Sequence, residues 1–508
     1  MRFFRFFTLW VVLGLAACGD KPAQPQTPPA DPTGLSVEQL TSSSARLSWT
    51  VAGDADSYYV FARGAGDAYY TTPAATLPGG SSSYEFTGLT PGASYHFGVQ
   101  AVGKEGKTLS KISYSDAVKM IDYEKLPQVT ATASHFRVSY PDGIRYDGLC
   151  FKEGSAPSVG DLVIPSDGVH PVTLVPAAPF RHGVDYQMSA YLSKDGKVEY
   201  THPVPVRLSD PPAPIHLAWQ KLSLSGIPSA IEVYETTSKL NGRAFHAWYA
   251  IADCTGEVEF RVQNPSAKAT VDAQAGADCW VLVNGGIYGT KHIGVIIADG
   301  IRQPWRDEVD DSYWAYDSKL YNITRAAFGT EASGKSATYW VSAPSASELY
   351  WYDRPLPTVM GETQLGAASA TFPGTPVAWT PVQAISTGPM LLYGGKCVVD
   401  RSVNAAGYYR TNYEVWPEDV FPTHPDRTAV GYTSDGRIVL FVCDGRIASS
   451  DGAYVDEVAL ILQDIGCVGA INLDGGGSTG MVVAGQHLND LTGGNRAVLS
   501  TLGFFKKR

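Results

Sequence analysis

Apolar and polar residues alternate in short runs between Thr33 and Met120. Ala45-Arg46-Leu47-Ser48-Trp49 places Ala45, Leu47 and Trp49 on one side of an extended chain. Successive strand side chains point to opposite faces, so each such run predicts a strand with one buried face. Ser57–Phe61, Tyr84–Phe86 and Tyr95–Val102 repeat the pattern, and Gly88-Leu89-Thr90-Pro91-Gly92 predicts a corner before the last of them. Strands at this spacing, separated by turn residues, predict an antiparallel sandwich with Trp49 as a core anchor.

The same alternation returns in Phe136–Tyr140 and Tyr186–Leu192, with turns expected at Asp142-Gly143 and Asp195-Gly196. Residues 121–213 therefore read as a second β-sandwich-like domain. The Pro-rich run Asp210-Pro211-Pro212-Ala213-Pro214 marks its end, leaving 214–508 as one larger domain. There the period changes. Trp280–Val283, Thr428–Tyr432 and Arg437–Cys443 read as strands. Between Asp451 and Gly466, Val455, Val458, Ala459, Leu462 and Ile465 recur at helical spacing, with Gly466 as a C-cap. The expected fold class is multidomain: N-terminal all-β immunoglobulin-like sandwiches followed by an α+β domain.

The first residues read as an address. Arg2 and Arg5 precede an apolar run from Phe6 to Leu15, too short to span a bilayer and suited to a secretory signal. Leu15-Ala16-Ala17-Cys18 resembles the lipobox of bacterial lipoproteins, which implies a signal peptide over 1–18 and lipidation of Cys18. Residues 19–32 are rich in Pro, Ala and Gln and read as a linker. The expected location is the bacterial cell envelope, with the chain anchored to the membrane and not spanning it.

Composition narrows the function. The 508 residues carry a formal net charge of −11, so a basic face for nucleic acid is not expected. Of seven cysteines, Cys18 apart, none forms a CxxC pair, and no metal or cofactor is expected. An exported chain permits disulfides, but spacing leaves their pairing open.

The richest segment is Ala470-Ile471-Asn472-Leu473-Asp474-Gly475-Gly476-Gly477-Ser478. A strand delivers Asn472 and Asp474 to one side, the glycines bare backbone N–H groups to a ligand, and Ser478 adds a hydroxyl. An acid, an amide and a hydroxyl around an open backbone suit a sugar-phosphate site. Arg427, Arg446 and Arg496 are candidate phosphate clamps, because a guanidinium matches phosphate oxygens in pairs. Asp474 and Glu457 are candidate nucleophile or base.

These segments, in order, resemble the phosphodiester glycosidase family: Asn284-Gly285-Gly286, Gly388-Pro389, Arg427-Thr428-Ala429-Val430-Gly431, Asp444-Gly445-Arg446, the Glu457 helix, and Asn472 to Ser478. Asn495-Arg496-Ala497-Val498 resembles the family's closing Arg-x-Val strand. The resemblance covers 214–508 and implies hydrolysis of a sugar-1-phosphodiester of the N-acetylglucosamine type. It implies catalytic roles for Asp474, Glu457 and Asp444, and substrate contacts from Asn284, Arg427, Arg446, Asn472, Gly475, Gly476, Ser478, Arg496 and His424. The segment His424-Pro425-Asp426-Arg427-Thr428 departs from the pattern by carrying Asp426 in addition. Residues 302–382 carry no matching motif and are expected to supply accessory strands and substrate-facing loops. The early Trp49, the Leu89–Gly92 corner and the Tyr95–Val102 strand resemble a fibronectin type III domain over 33–120. The rival readings are a non-catalytic polysaccharide-binding or adhesive surface lipoprotein, and an exopolysaccharide assembly factor. The partners expected are a glycan substrate and, through Cys18, a membrane.

Overall fold

The structure, a computed structural model, describes residues 27–64, 67, 72–120, 122, 126–131, 135–139, 146–165, 172–176, 180–194, 197–289, 291–303, 313–316, 318–345, 347–356, 358, 364–399, 401, 414, 416 and 422–508. The signal peptide, Cys18 and the expected turns at Asp142-Gly143 and Asp195-Gly196 lie outside the described residues. The chain divides into two compact units, Met1–Lys125 and Leu126–Arg508.

The first unit is a sandwich of two antiparallel sheets. One orders Thr33–Thr41, Ser44–Thr50 and Ser83–Phe86. The other orders Ala75–Pro78, Ser57–Gly64, Ser94–Val102 and Ser113–Tyr114. The alternating residues do meet between them: Leu47, Trp49, Tyr58, Val60, Phe86, Phe97 and Val99 form one buried core. At the corner the Thr90 N–H donates to the Tyr95 hydroxyl at 3.0 Å, a tyrosine-corner contact that ties the turn to the strand it introduces.

In the second unit, residues 128–206 form two further antiparallel sheets around an aromatic core of Phe136, Phe151, Phe180 and Tyr186. Phe180 meets Phe136 and Phe151 edge-on at 4.8 and 4.7 Å, a favoured aromatic geometry.

The remainder is built on three large antiparallel sheets and the two-stranded pair Tyr313–Tyr316 and Lys319–Asn322. The largest orders Gln220–Lys221, Ile231–Thr236, Ala247–Ala252, Ile438–Cys443, Arg427–Thr433, Cys467–Asn472, Met390–Tyr393 and Lys396–Cys397. A five-stranded sheet orders Val258–Gln263, Thr501–Lys506, Cys279–Asn284, Met481–Val483 and Gln486–His487. A six-stranded one carries Pro381–Thr387, Arg325–Glu331 and Ser336–Ser342 at its centre. All three contribute to one core, for example Val430 and Ile471, Val281 and Phe504, Phe328 and Ile385. The opposite face of the eight-stranded sheet is covered by the helix Val455–Ile465, whose Val458, Ala459 and Leu462 pack on Ala429, Phe441 and Ala470. Gly466 ends the helix at φ 104°, a left-handed conformation that glycine adopts without strain. Cys150, Cys254, Cys279, Cys443 and Cys467 are free thiols.

Candidate functional site

Strand register gathers the polar segments. Arg427 stands opposite Cys443, and Ala429 opposite Asn472, in antiparallel pairings. The central strand of the large sheet therefore begins where both its neighbours end. The loops Pro425–Asp426, Asp444–Arg446 and Leu473–Gly477 are forced together at that end. The five-stranded sheet meets them there: the Cys279–Asn284 strand runs into Gly285, whose carbonyl accepts the Asp474 N–H at 3.0 Å.

A cleft of about 640 Å³ opens at this junction, lined by Ile287, Thr423, His424, Arg427, Arg446, Asn472, Asp474, Gly475 to Gly477 and Arg496 among others. Of the described residues that line it, Asp474 is the one carboxylate. Its side chain accepts the Gly475 N–H at 2.9 Å. Burial pushes its pKa up to about 6, while bonding from Ser478 and Gly475 and the charge of Arg496 pull the other way. Gly476 sits at φ 61°, where a side chain would be strained. A Cβ on Gly477 would stand 2.5 Å from Arg496 Nη2, so the bare glycine is where the Arg496 guanidinium meets the loop.

The three arginines are held differently. Arg427 is buried. Its Nε donates to the Ala453 carbonyl at 3.0 Å and its Nη2 to the Thr423 carbonyl at 2.8 Å. Arg446 is half-exposed, and its Nε and Nη2 both donate to Asp426 Oδ2, at 3.1 and 2.9 Å. Arg496 approaches Ser478 Oγ at 3.5 Å. His424 stands against the Asp451 carbonyl at 2.7 Å through Nδ1. Among the described residues no three His, Cys, Asp or Glu side chains are grouped to hold a metal ion.

Several expected site residues do not face the cleft. Glu457 accepts Asn241 Nδ2 at 2.7 Å, Arg243 Nη2 at 2.6 Å and the Tyr454 N–H at 2.9 Å. It therefore caps its own helix and holds a loop, away from the described residues that line the cleft. Asp444 is fully buried and accepts the Asp490 N–H at 3.1 Å. Burial first, then the charges of Asp490 and Asp426, push its pKa up to about 7, and it too lies off the cleft wall. Asn284 spends its amide on the protein: Oδ1 accepts Thr428 Oγ1 at 2.7 Å and Gly480 N at 3.2 Å, and Nδ2 donates to the Asp474 carbonyl at 2.8 Å. Its amide therefore holds the Asp474 main chain in place, and Asn284 is not among the described residues lining the cleft. Ser478 is buried and acts on Asp474 and Arg496. Asn472 lines the cleft with its Nδ2 donating to the Gly388 carbonyl at 3.1 Å. Arg496 precedes the strand Thr501–Lys506 and does not belong to it. Missing from the expected set were Asp426, Thr423 and Ile287.

Asp474, Arg427, Arg446 and Arg496 thus line one cleft. Residues 325–505 match the phosphodiester glycosidase family. Within that phosphodiester glycosidase region lie Arg427, Arg446, Asn472 to Gly477 and Arg496, whereas Asn284 and Ile287 lie before it. Residues 30–116 match the fibronectin type III domain.

Among curated proteins, the chain is 39% identical over 85 residues to the SPbeta prophage-derived uncharacterized protein YomE of Bacillus subtilis (strain 168). The match covers 16% of this chain and 13% of that protein, so the chain spans only a small part of its relative's length.

Among solved structures, the chain is similar to the zebrafish N-acetylglucosamine-1-phosphodiester alpha-N-acetylglucosaminidase catalytic domain auto-inhibited by pro-peptide, at 22% identity and a TM-score of 0.37. That alignment covers 58% of this chain and 89% of that one. A hypothetical protein from Synechocystis aligns at 14% identity and a TM-score of 0.37, over 94% and 92% of the two chains. The FN5 domain of Drosophila Lar aligns at 24% identity and a TM-score of 0.16, over 18% of this chain and 97% of that one.

Proposed function

We propose that this chain is an exported glycosidase, lipid-anchored through Cys18 at the bacterial cell envelope, that hydrolyses a sugar-1-phosphodiester of a surface or environmental glycan. The observation that carries the reading is the cleft itself: one desolvated carboxyl, Asp474, shares it with Arg427, Arg446 and Arg496. The family match over 325–505 supports the reaction class, and the quoted motifs support an N-acetylglucosamine phosphodiester as substrate.

The chemistry follows from what the cleft holds. A water oxygen attacks the anomeric carbon while the bond from that carbon to the phosphate oxygen breaks. The electron pair leaves on the phosphate, and the water proton passes to Asp474. A carboxyl with a pKa near 6 is mostly ionised at neutral pH and more basic than an ordinary aspartate, which suits a general base. A phosphate monoester leaves without needing a strong acid, so the absence of a second carboxylate among the described lining residues is compatible with hydrolysis. Fixed guanidinium groups stabilise the charge that grows on the leaving group without reorganising. The deciding experiment offers purified protein an N-acetylglucosamine-1-phosphodiester and follows release of free sugar. Turnover by the wild type that is lost in Asp474→Asn supports the proposal; no turnover of any sugar phosphodiester sinks it.

A further inference from the structure

We infer that Asp426 is a positioning residue that sets the Arg446 guanidinium against the glycine loop; the inference rests on the proposed reaction and deepens it. Asp426 itself does not line the cleft. Its side chain is almost wholly buried, and Oδ2 takes both the Nε and the Nη2 of Arg446. Oδ1 has no hydrogen-bond partner among the described residues. A buried carboxylate is costly unless it is paired, and here Arg446 is the partner the hydrogen bonds show.

The backbone of Asp426 is wedged between the two loops that shape the cleft. Its carbonyl accepts the Gly476 N–H at 2.9 Å. A Cβ on Gly475 would stand 2.7 Å from that carbonyl oxygen, and a Cβ on Gly445 would stand 2.4 Å from the Asp426 nitrogen. Arg446 closes the triangle, with its Nη2 3.2 Å from where a Cβ on Gly476 would be. One residue thus holds the glycine loop by its main chain and the arginine beside that loop by its side chain.

Arg446 needs such a hold. It is half-exposed, and its backbone sits at φ 61°, a region that side-chain-bearing residues occupy only when their surroundings fix them. Freed from Asp426, the long side chain would sample many rotamers, and the phosphate would have to order it on binding. Asp426 therefore acts on substrate affinity through Arg446.

The test is a double-mutant cycle on the full chain, comparing wild type, Asp426→Asn, Arg446→Ala and the double variant on an N-acetylglucosamine-1-phosphodiester. Asp426→Asn should raise KM about tenfold and change kcat by less than about threefold, and it should have no further effect on KM in the Arg446→Ala background. A wild-type KM in Asp426→Asn, or an equal rise in both backgrounds, overturns the inference. Should Asp426→Asn fail to fold, Asp426→Glu keeps the charge and changes the reach: a raised KM supports the pairing and an unchanged KM overturns it. Calorimetry with inorganic phosphate separates this inference from the reaction. Phosphate binding that weakens about tenfold in Asp426→Asn supports the pairing even if the wild type turns over no diester. Equal binding to both proteins, or none to either, overturns it.

Discussion

Glu457 and Arg243 form an ion pair at 2.6 Å that lies away from the cleft, with Glu457 nearly buried and Arg243 a quarter exposed. The same carboxylate receives the Tyr454 N–H, which closes a capping box at the start of the Val455–Ile465 helix. Removing the carboxylate strands a guanidinium and two other donors. Glu457→Ala should therefore cost about 3 kcal/mol of stability, as expected for breaking a buried pair. The kcat of the folded fraction should stay at the wild-type value. Denaturant unfolding, run beside kinetics on the same sample, checks both halves; a stable but inactive variant would return Glu457 to the catalytic set.

Asp474→Asn keeps the shape of the side chain and removes its basicity. Turnover should fall by about 10²–10⁴-fold, the range for loss of acid–base assistance, with the melting temperature unchanged or raised. On the proposed mechanism the ionised form is the working one, so wild-type kcat should rise with pH through about 6. Stability runs the other way. The folded-state pKa lies above the unfolded value near 3.9, so the protonated carboxyl favours the fold below that value, and the benefit is lost as pH rises to about 6. A kcat profile flat between pH 5 and 8 would exclude Asp474 as the base.

Much of this site is readable from local pattern, and the rest depends on partners distant in the chain. The strands Arg427–Thr433 and Ile438–Cys443 and the helix Val455–Ile465 follow from apolar periods of two and 3.6. The glycine run beside Asp474 also marks the loop at the cleft. A signal for Glu457 was present too, since an acidic residue in the first helical turn, three after the cap, is a capping pattern as well as a candidate acid. Asp444 could not be sorted this way. What removes it from the cleft is its burial and the Asp490 N–H, which comes from 46 residues further along. Asp426 likewise pairs with Arg446 across a strand pair and a turn. The stretch 302–382 does supply strands, Arg325–Glu331 and Ser336–Ser342 among them, yet none of its described residues lines the cleft. Its apolar faces are consumed by the shared core, where Phe328 and Trp340 pack.

Asp444 offers a prediction about stability. Its pKa of about 7 in the folded chain stands well above the unfolded value near 3.9. The carboxyl therefore favours the fold while protonated, and that contribution is lost as pH rises from about 4 through about 7. Asp444→Asn cannot ionise. Its melting temperature relative to wild type should climb between pH 5 and pH 8, by on the order of 2 °C. Thermal melts across that range check it, and a difference that does not vary with pH would mean that Asp444 is not raised.

Arg427 tests whether geometry or charge matters on the cleft wall. Its guanidinium donates in two directions at once, from Nε to the Ala453 carbonyl and from Nη2 to the Thr423 carbonyl. The second bond ties the start of the central strand to the segment Thr423–Pro425, which lines the cleft, and the first ties it to Ala453, just before the helix Val455–Ile465. A lysine keeps the positive charge but has one nitrogen and no planar fork. It cannot satisfy both carbonyls and also present a donor to phosphate. Arg427→Lys should therefore lower kcat/KM by about tenfold to a hundredfold, the scale of one or two charge-assisted hydrogen bonds. It should also lower the melting temperature, because a buried carbonyl loses its partner. Steady-state kinetics on the diester, read with a thermal melt of the same preparation, measure both effects. Wild-type kcat/KM in Arg427→Lys would show that a point charge is enough at this position, and would shift the work of gripping the phosphate to Arg446 and Arg496.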